Sequence, residues 1–216
     1  MSGQLSYDGG MGWAATDRYG LSAAPAGLGF IQDVLNTHPA QRPLLADLFA
    51  DLDSAQRWLD GALQNWSHET GVPQSRALLT EDDLDKLRGL RADLTTLLRS
   101  EDQRHDATLL PSASIFARIG PDGTALLEPR GEGNRRVSAI VLIETFTAQR
   151  LDTWHRLKIC RNDRCAVSFY DRSRNSSAVW HDSRVCGNAI YLRASRARKR
   201  QSALSTKHSP PHAEKP

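Results

Sequence analysis

Cys160, Cys165 and Cys186 are the only cysteines of this 216-residue chain, and all lie within 27 residues in the spacing Cys160-x4-Cys165-x15-His181-x4-Cys186. Three thiolates and an imidazole, offered as two near pairs separated by a loop, are what a tetrahedral Zn²⁺ takes from a protein. A disulfide is a poor alternative in a reducing compartment, and the odd count leaves one thiol over. Buried core cysteines fit poorly too, because Arg161, Asn162, Asp163 and Arg164, between the first pair, are polar turn formers. His155 competes with His181 for the fourth position. His181 is favoured because its step to Cys186 repeats the step from Cys160 to Cys165. Four protein ligands leave no position for water, so the expected cofactor is a structural zinc and not a catalytic one.

The segment holding these residues is strongly basic. Residues 1–150 carry 14 Lys/Arg against 20 Asp/Glu, net −6, whereas residues 151–216 carry 14 against 5, net +9. An acidic body joined to a basic end points to a polyanion as partner of that end, with nucleic acid ahead of a membrane surface or an acidic protein. No run of about 20 apolar residues is present, so no membrane span is expected. The N-terminal residues have neither a basic start nor an apolar core, and a cytoplasmic location is expected.

The elements that must position the ligands are mostly helical. Phe30, Ile31, Val34 and Leu35 form an apolar stripe that stops near Pro39. Residues 44–66 repeat apolar positions at three- and four-residue steps and predict one or two helices, closed by Gly71-Val72-Pro73. Thr80-Glu-Asp-Asp83 supplies an N-cap hydroxyl and first-turn acids for a helix to about Ser100 with leucines on its buried face. Two short strands, 114–118 and 124–128, are expected around Pro121-Asp122-Gly123. A loop over 131–136 and a helix from Val137 to about Arg156 then lead to Cys160. Val167–Asp171 alternates as a strand, and Ala189–Gln201 lacks Gly and Pro and predicts a helix.

The fold class is therefore α+β: an α-rich body with a short β-hairpin, then a small treble-clef-like or ribbon-like finger with a basic C-terminal helix. The expected parts are a flexible leader over 1–27, a regulatory or sensor-like body over 28–156, a finger over 157–201 with its own stabilising core, and a disordered tail over 202–216.

The finger residues resemble the CGNR zinc-finger family. Its pattern is a two-cysteine knuckle, Phe-x-Asp-x-Ser-Arg, and Arg-x-Trp-Cys-x4-Cys-Gly-Asn-Arg followed by a basic helix. Here these stand as Cys160-x4-Cys165, Phe169-Tyr-Asp171-Arg-Ser173-Arg174, and Trp180-His181-x4-Cys186-Gly187-Asn188-Ala189. His181 stands where the family usually has cysteine, and Ala189 replaces the arginine that gives the family its name. The upstream stripe 30–37, the Trp58 helix and the Leu84–Leu98 helix look like the family's N-terminal domain. The resemblance implies a stress-induced transcriptional regulator.

The residues expected to meet duplex DNA are Arg184, Arg193, Arg196, Arg198, Lys199 and Arg200, of which Arg193, Arg196 and Arg200 share one helical face. Tyr191 and Leu192 are expected to pack back on the finger. The competing expectation is a zinc-stabilised interaction module docking an acidic protein of the transcription apparatus, without direct DNA binding. No catalytic set is recognisable: His38, His68 and His105 are isolated and no Gly-rich phosphate loop follows a strand. An enzyme is not expected, and the sequence names no small-molecule effector for the body.

Overall fold

The computed structural model describes residues 12–41, 44–99 and 113–206. Its elements run, in chain order, α1 (Ala14–Asp17), α2 (Leu28–Leu35), β1 (Ala40–Gln41), β2 (Leu44–Leu45), α3 (Leu52–Thr70), α4 (Glu81–Arg99), β3 (Ser114–Ile119), β4 (Ala125–Arg130), α5 (Gly133–Arg150), β5 (Leu157–Ile159), β6 (Ser168–Tyr170) and α6 (Asn188–Thr206). The strands form three separate antiparallel pairs, β1–β2, β3–β4 and β5–β6. The fold is α+β, as its sequence implies.

Every residue of α2 is buried, which makes it the central rod of the body. It touches α1, α3, α4 and α5 on its several sides and β6 at one end. Phe30 meets the Trp58 ring, and Phe49 meets Trp58 edge-on at 5.1 Å between ring centres. Asp33, wholly buried on the same rod, accepts hydrogen bonds from Trp58 Nε1 at 2.8 Å and the Thr16 backbone N–H at 2.7 Å. Burial nevertheless pushes its carboxyl up to about 6.

The helix ends follow from local chemistry. Asp51 caps α3 by accepting from the Ser54 N–H at 2.8 Å, and Gly71, with φ +70°, ends it. Thr80 and Asp83 cap α4 reciprocally, through Asp83 N–H to Thr80 Oγ1 at 3.2 Å and Thr80 N–H to Asp83 Oδ2 at 3.0 Å. The other oxygen of Asp83 accepts from the Asn134 N–H at 3.0 Å. That contact starts α5 at Gly133, inside the stretch expected to be a loop. A Cβ at residue 133 would lie 2.4 Å from the Asp83 carboxylate, and its φ is +54°, so glycine is required twice over.

Several other expectations are corrected. Residues 44–51 are not helical. Leu48 N–H donates to Thr37 O at 2.9 Å, and Arg91 of α4 grips the Asp47 carboxylate through both terminal nitrogens, at 2.6 and 2.8 Å. The long helix expected to reach Arg156 ends at Arg150; Asp152 takes φ +54°, a single 3-10 turn spans Trp154–Arg156, and β5 delivers the chain to Cys160. The leader expected over 1–27 is folded from residue 12 on, with Trp13 and Ala15 in the core. Of the tail expected over 202–216, residues to Thr206 belong to α6. Residues 1–11 and 207–216, and His105, lie outside the described residues.

The strands that follow the expected border at 156/157 make contact with the body. Leu157 and Ile159 of β5 belong to the body's core, with Tyr170 of β6 packed against it. On the outer edge of β6, Ser168 N–H donates to Asn36 Oδ1 at 2.8 Å while Asn36 Nδ2 donates to Ser168 O at 3.0 Å. Gln32 Nε2 donates to the same carbonyl at 3.4 Å. A carboxamide carries the donor and acceptor of a peptide, so Asn36 stands in for a neighbouring strand in a place water does not reach. β5 and the edge of β6 thus tie the finger to the body, while Cys160, Phe169 and Cys186 form a small cluster of the finger's own.

Asn36→Ala leaves the Ser168 N–H buried and unpaired and its carbonyl with only the 3.4 Å bond from Gln32, and should lower unfolding stability by about 1–3 kcal/mol. Urea unfolding followed by tryptophan fluorescence measures this; a loss below about 0.5 kcal/mol would show that the seam does not hold the parts together.

Candidate metal centre and basic helix

The knuckle begins where β5 ends. Cys160 N–H donates to Val167 O at 2.8 Å and Cys165 N–H to Asn162 O at 2.7 Å, which folds the four intervening residues into a tight turn. Ala166 then takes φ +58°, turning both sulfurs to one side. After β6 the chain loops over residues 172–178, and Arg161 N–H donates to Val179 O at 2.9 Å, laying the second ligand segment beside the first. Asp182 Oδ1 accepts from the N–H groups of Arg184 and Val185 at 2.7 and 3.2 Å. This caps the wide turn Ser183–Gly187 and sets Cys186 facing inward just ahead of α6.

Cys160, Cys165, His181 and Cys186 consequently converge, their ligand atoms all within 4.8 Å of one another. His181 Nδ1 lies 3.3 Å from Cys165 Sγ and 3.7 Å from Cys186 Sγ. A tetrahedral zinc with ordinary Zn–S and Zn–N distances spaces sulfur from nitrogen by about 3.6 Å, so the donor set fits the ion in kind and in spacing. His155 is excluded from the cluster: it sits in the 3-10 turn with Nδ1 3.3 Å from Asp152. The Cys160 thiol is held low by a hydrogen bond from Cys165 and a further one from His181, which outweigh burial. Cys165, donating to it, is pushed the other way.

Residues 156–199 match the family model of the CGNR zinc finger. No curated protein matches the chain. The CGNR finger is a zinc-binding module, with the four residues above able to hold the metal and structural Zn²⁺ as its cofactor. Among the described residues no helix is long and apolar enough to cross a membrane.

Asp171, inside the Phe169–Arg174 motif, organises the loop between the half-sites. Its carboxylate accepts from Lys158 Nζ at 2.7 Å and from the N–H groups of Ser173 and Ala178, each at 2.8 Å. Burial would raise this carboxyl, but the ammonium and the hydroxyl and amide donors prevail and hold it well below the ordinary range. Arg156 Nη1 secures the same loop by donating to Asp171 O and Ser173 O at 3.0 and 2.9 Å.

The basic residues are distributed unevenly. Arg184 is exposed in the turn before α6. Arg193 is half-buried, its Nη2 donating to Asn162 Oδ1 at 2.6 Å, so the knuckle grips the helix directly. Arg196, Arg198, Lys199 and Arg200 are exposed, and helical geometry places Arg198 opposite the face shared by Arg193, Arg196 and Arg200. Tyr191 and Leu192 do not pack back as expected. They are 65% and 57% exposed, and the Tyr191 ring only meets the edge of Trp180. Asn162 is the functional residue that sequence reasoning passed over as a turn former; its place midway between two ligands is the one signal it offers.

Cys165→Ser should lose zinc and, because β5 and β6 pack against α4 and α2, should also lower the stability of those helices. Metal content by mass spectrometry and thermal unfolding by circular dichroism report the two effects, and full zinc occupancy in the variant would remove Cys165 from the site. Acid should release metal before it unfolds the loop. Thiolates and imidazole protonate first, whereas Asp171, depressed below its ordinary 3.8, stabilises the loop above that pH and loses its contribution only as pH falls below it. Chelator-detected zinc release and loop amide shifts, followed from pH 7 downwards, should separate in that order.

Proposed function

We propose that the protein binds duplex DNA in transcriptional control, with a structural zinc fixing α6 as the reading element. The observation that carries this is the direct attachment of the basic helix to the metal centre: Cys186 precedes the start of α6 at Asn188 by two residues, and Arg193 is bonded to the knuckle through Asn162. The 19 residues of α6 span about 28 Å, and a helix of this width fits the major groove. Arginine forks suit both phosphate oxygens and guanine edges. Arg184, Arg193, Arg196, Arg198, Lys199 and Arg200 form the proposed contact set. The protein acts by binding and not by catalysis, at a cytoplasmic location where chromosomal DNA is accessible.

A second reading is favoured by one observation. Val185, Tyr191 and Leu192 leave an apolar strip on the finger, 57–65% exposed, of the kind an acidic protein of the transcription apparatus could cover. The salt dependence of binding separates the two. If four or five cations neutralise phosphates, log K for a mixed-sequence duplex should fall against log salt with a slope of roughly −4. A zinc-loaded protein that shows no binding to duplex at low salt, but is retained by an acidic partner, would establish the second reading instead.

A further inference from the structure

A groove of about 440 Å³ runs between the knuckle and α6, floored by Cys165, His181 and Cys186 of the metal site and with Tyr19 and Ala40 of the body forming its far side. Arg164 enters it from the knuckle, and Arg193 and Arg196 enter from the helix. No aspartate or glutamate lines it. Among the described residues none of these three guanidiniums is in an ion pair; the one side-chain bond of Arg193 is to the neutral Asn162. Arg164 and Arg196 are exposed, and Val185 and Leu192 form an apolar wall between the cations. Ala189, in the first turn of α6, keeps the groove open, because a longer side chain there would enter it.

Such concentration of like charge is unfavourable without a counter-ion, and the metal centre does not supply one in full. Three thiolates around a divalent cation leave a single negative charge against three arginines. Lys158 shows the contrast within the same finger: it is spent on Asp171 and on the carbonyls of Ser176 and Ala178. Arg193 is held by Asn162, and no carboxylate neutralises any of the three groove arginines among the described residues.

We propose that this groove is a phosphate site in which Arg164, a residue outside the basic helix, clamps one backbone phosphate of the duplex against Arg193 and Arg196. This rests on the DNA reading above for the source of the phosphate, but not for the site. The knuckle then grips the nucleic acid as well as the metal, and the strand lies across the metal centre and not only along α6.

The test uses the full zinc-loaded chain with two probes, inorganic phosphate and a mixed-sequence duplex. Phosphate should shift the methyl resonances of Val185 and Leu192 in the native protein, and this response should vanish in Arg164→Gln and in Ala189→Leu, which fills the groove without changing charge. Zinc content and circular dichroism should match the native protein in both. Arg164→Gln should reduce the magnitude of the duplex salt slope by up to about 0.9, because Arg193 and Arg196 then neutralise that phosphate less fully. Arg164→Lys should restore most of it, and Arg174→Gln, an exposed arginine outside the groove, should leave the phosphate response intact. Native duplex binding with an unchanged slope in Arg164→Gln overturns the clamp and leaves the DNA reading standing. An Arg164-dependent phosphate response without duplex binding overturns the DNA reading and assigns the groove to a free phosphorylated compound. No phosphate response in the native protein overturns the site itself.

Discussion

The gathering of three sulfurs and one imidazole at a single point governs this architecture, because almost nothing else in the finger can hold it together. Its own buried apolar cluster amounts to Cys160, Phe169 and Cys186, with a few half-buried neighbours. So small a cluster cannot offset the conformational entropy of ordering some forty residues, so metal ligation is folding free energy here. The ligands come in two short segments, and each is preset by backbone hydrogen bonds: the knuckle by Val167 and Asn162, the wide turn by Asp182. The metal thus closes a gap between two prepared pieces and need not organise a free chain.

The body supplies the rest of the support. Asn36 sits at the end of the most buried helix in the molecule, and its carboxamide pairs with Ser168 as a strand would. Since β6 leads from the knuckle into the loop organised by Asp171, a buried polar contact in the body reaches both half-sites through a few residues of rigid backbone. Polar pairs of this kind fix register more than they add stability, and their loss leaves donors and acceptors stranded.

Much of this was legible in the sequence, and the parts that were not have identifiable causes. The ligands could be read because cysteine is rare in the chain and its chemistry restricted. The helices α3 and α4 could be read because their apolar steps are regular and, for α4, because the Thr80 cap and the first-turn acids are local. Residues 44–51 misled because their leucines keep a helical step while Arg91 and Thr37, remote in sequence, hold the backbone elsewhere. The early start of α5 depended on Asp83, 51 residues away. The bond that ties β6 to the body depended on a pair of residues 132 apart, for which no local pattern exists. Side chains whose partners are adjacent leave a periodic trace; those acting across the fold do not.

The way α6 leaves the finger has a mechanical corollary. The helix is anchored over its first turns, through Cys186, the Tyr191–Trp180 ring contact and the Arg193–Asn162 bond, and Arg200 stands about 18 Å beyond its origin at Asn188. Any angular play at the root is multiplied along that lever. A tilt of roughly 10° would carry the tip about 3 Å sideways, as far as a hydrogen bond is long. Stiffness at the pivot therefore sets how sharply the distal cations can be aimed, which gives a reason for an inflexible inorganic joint in place of a softer hydrophobic one.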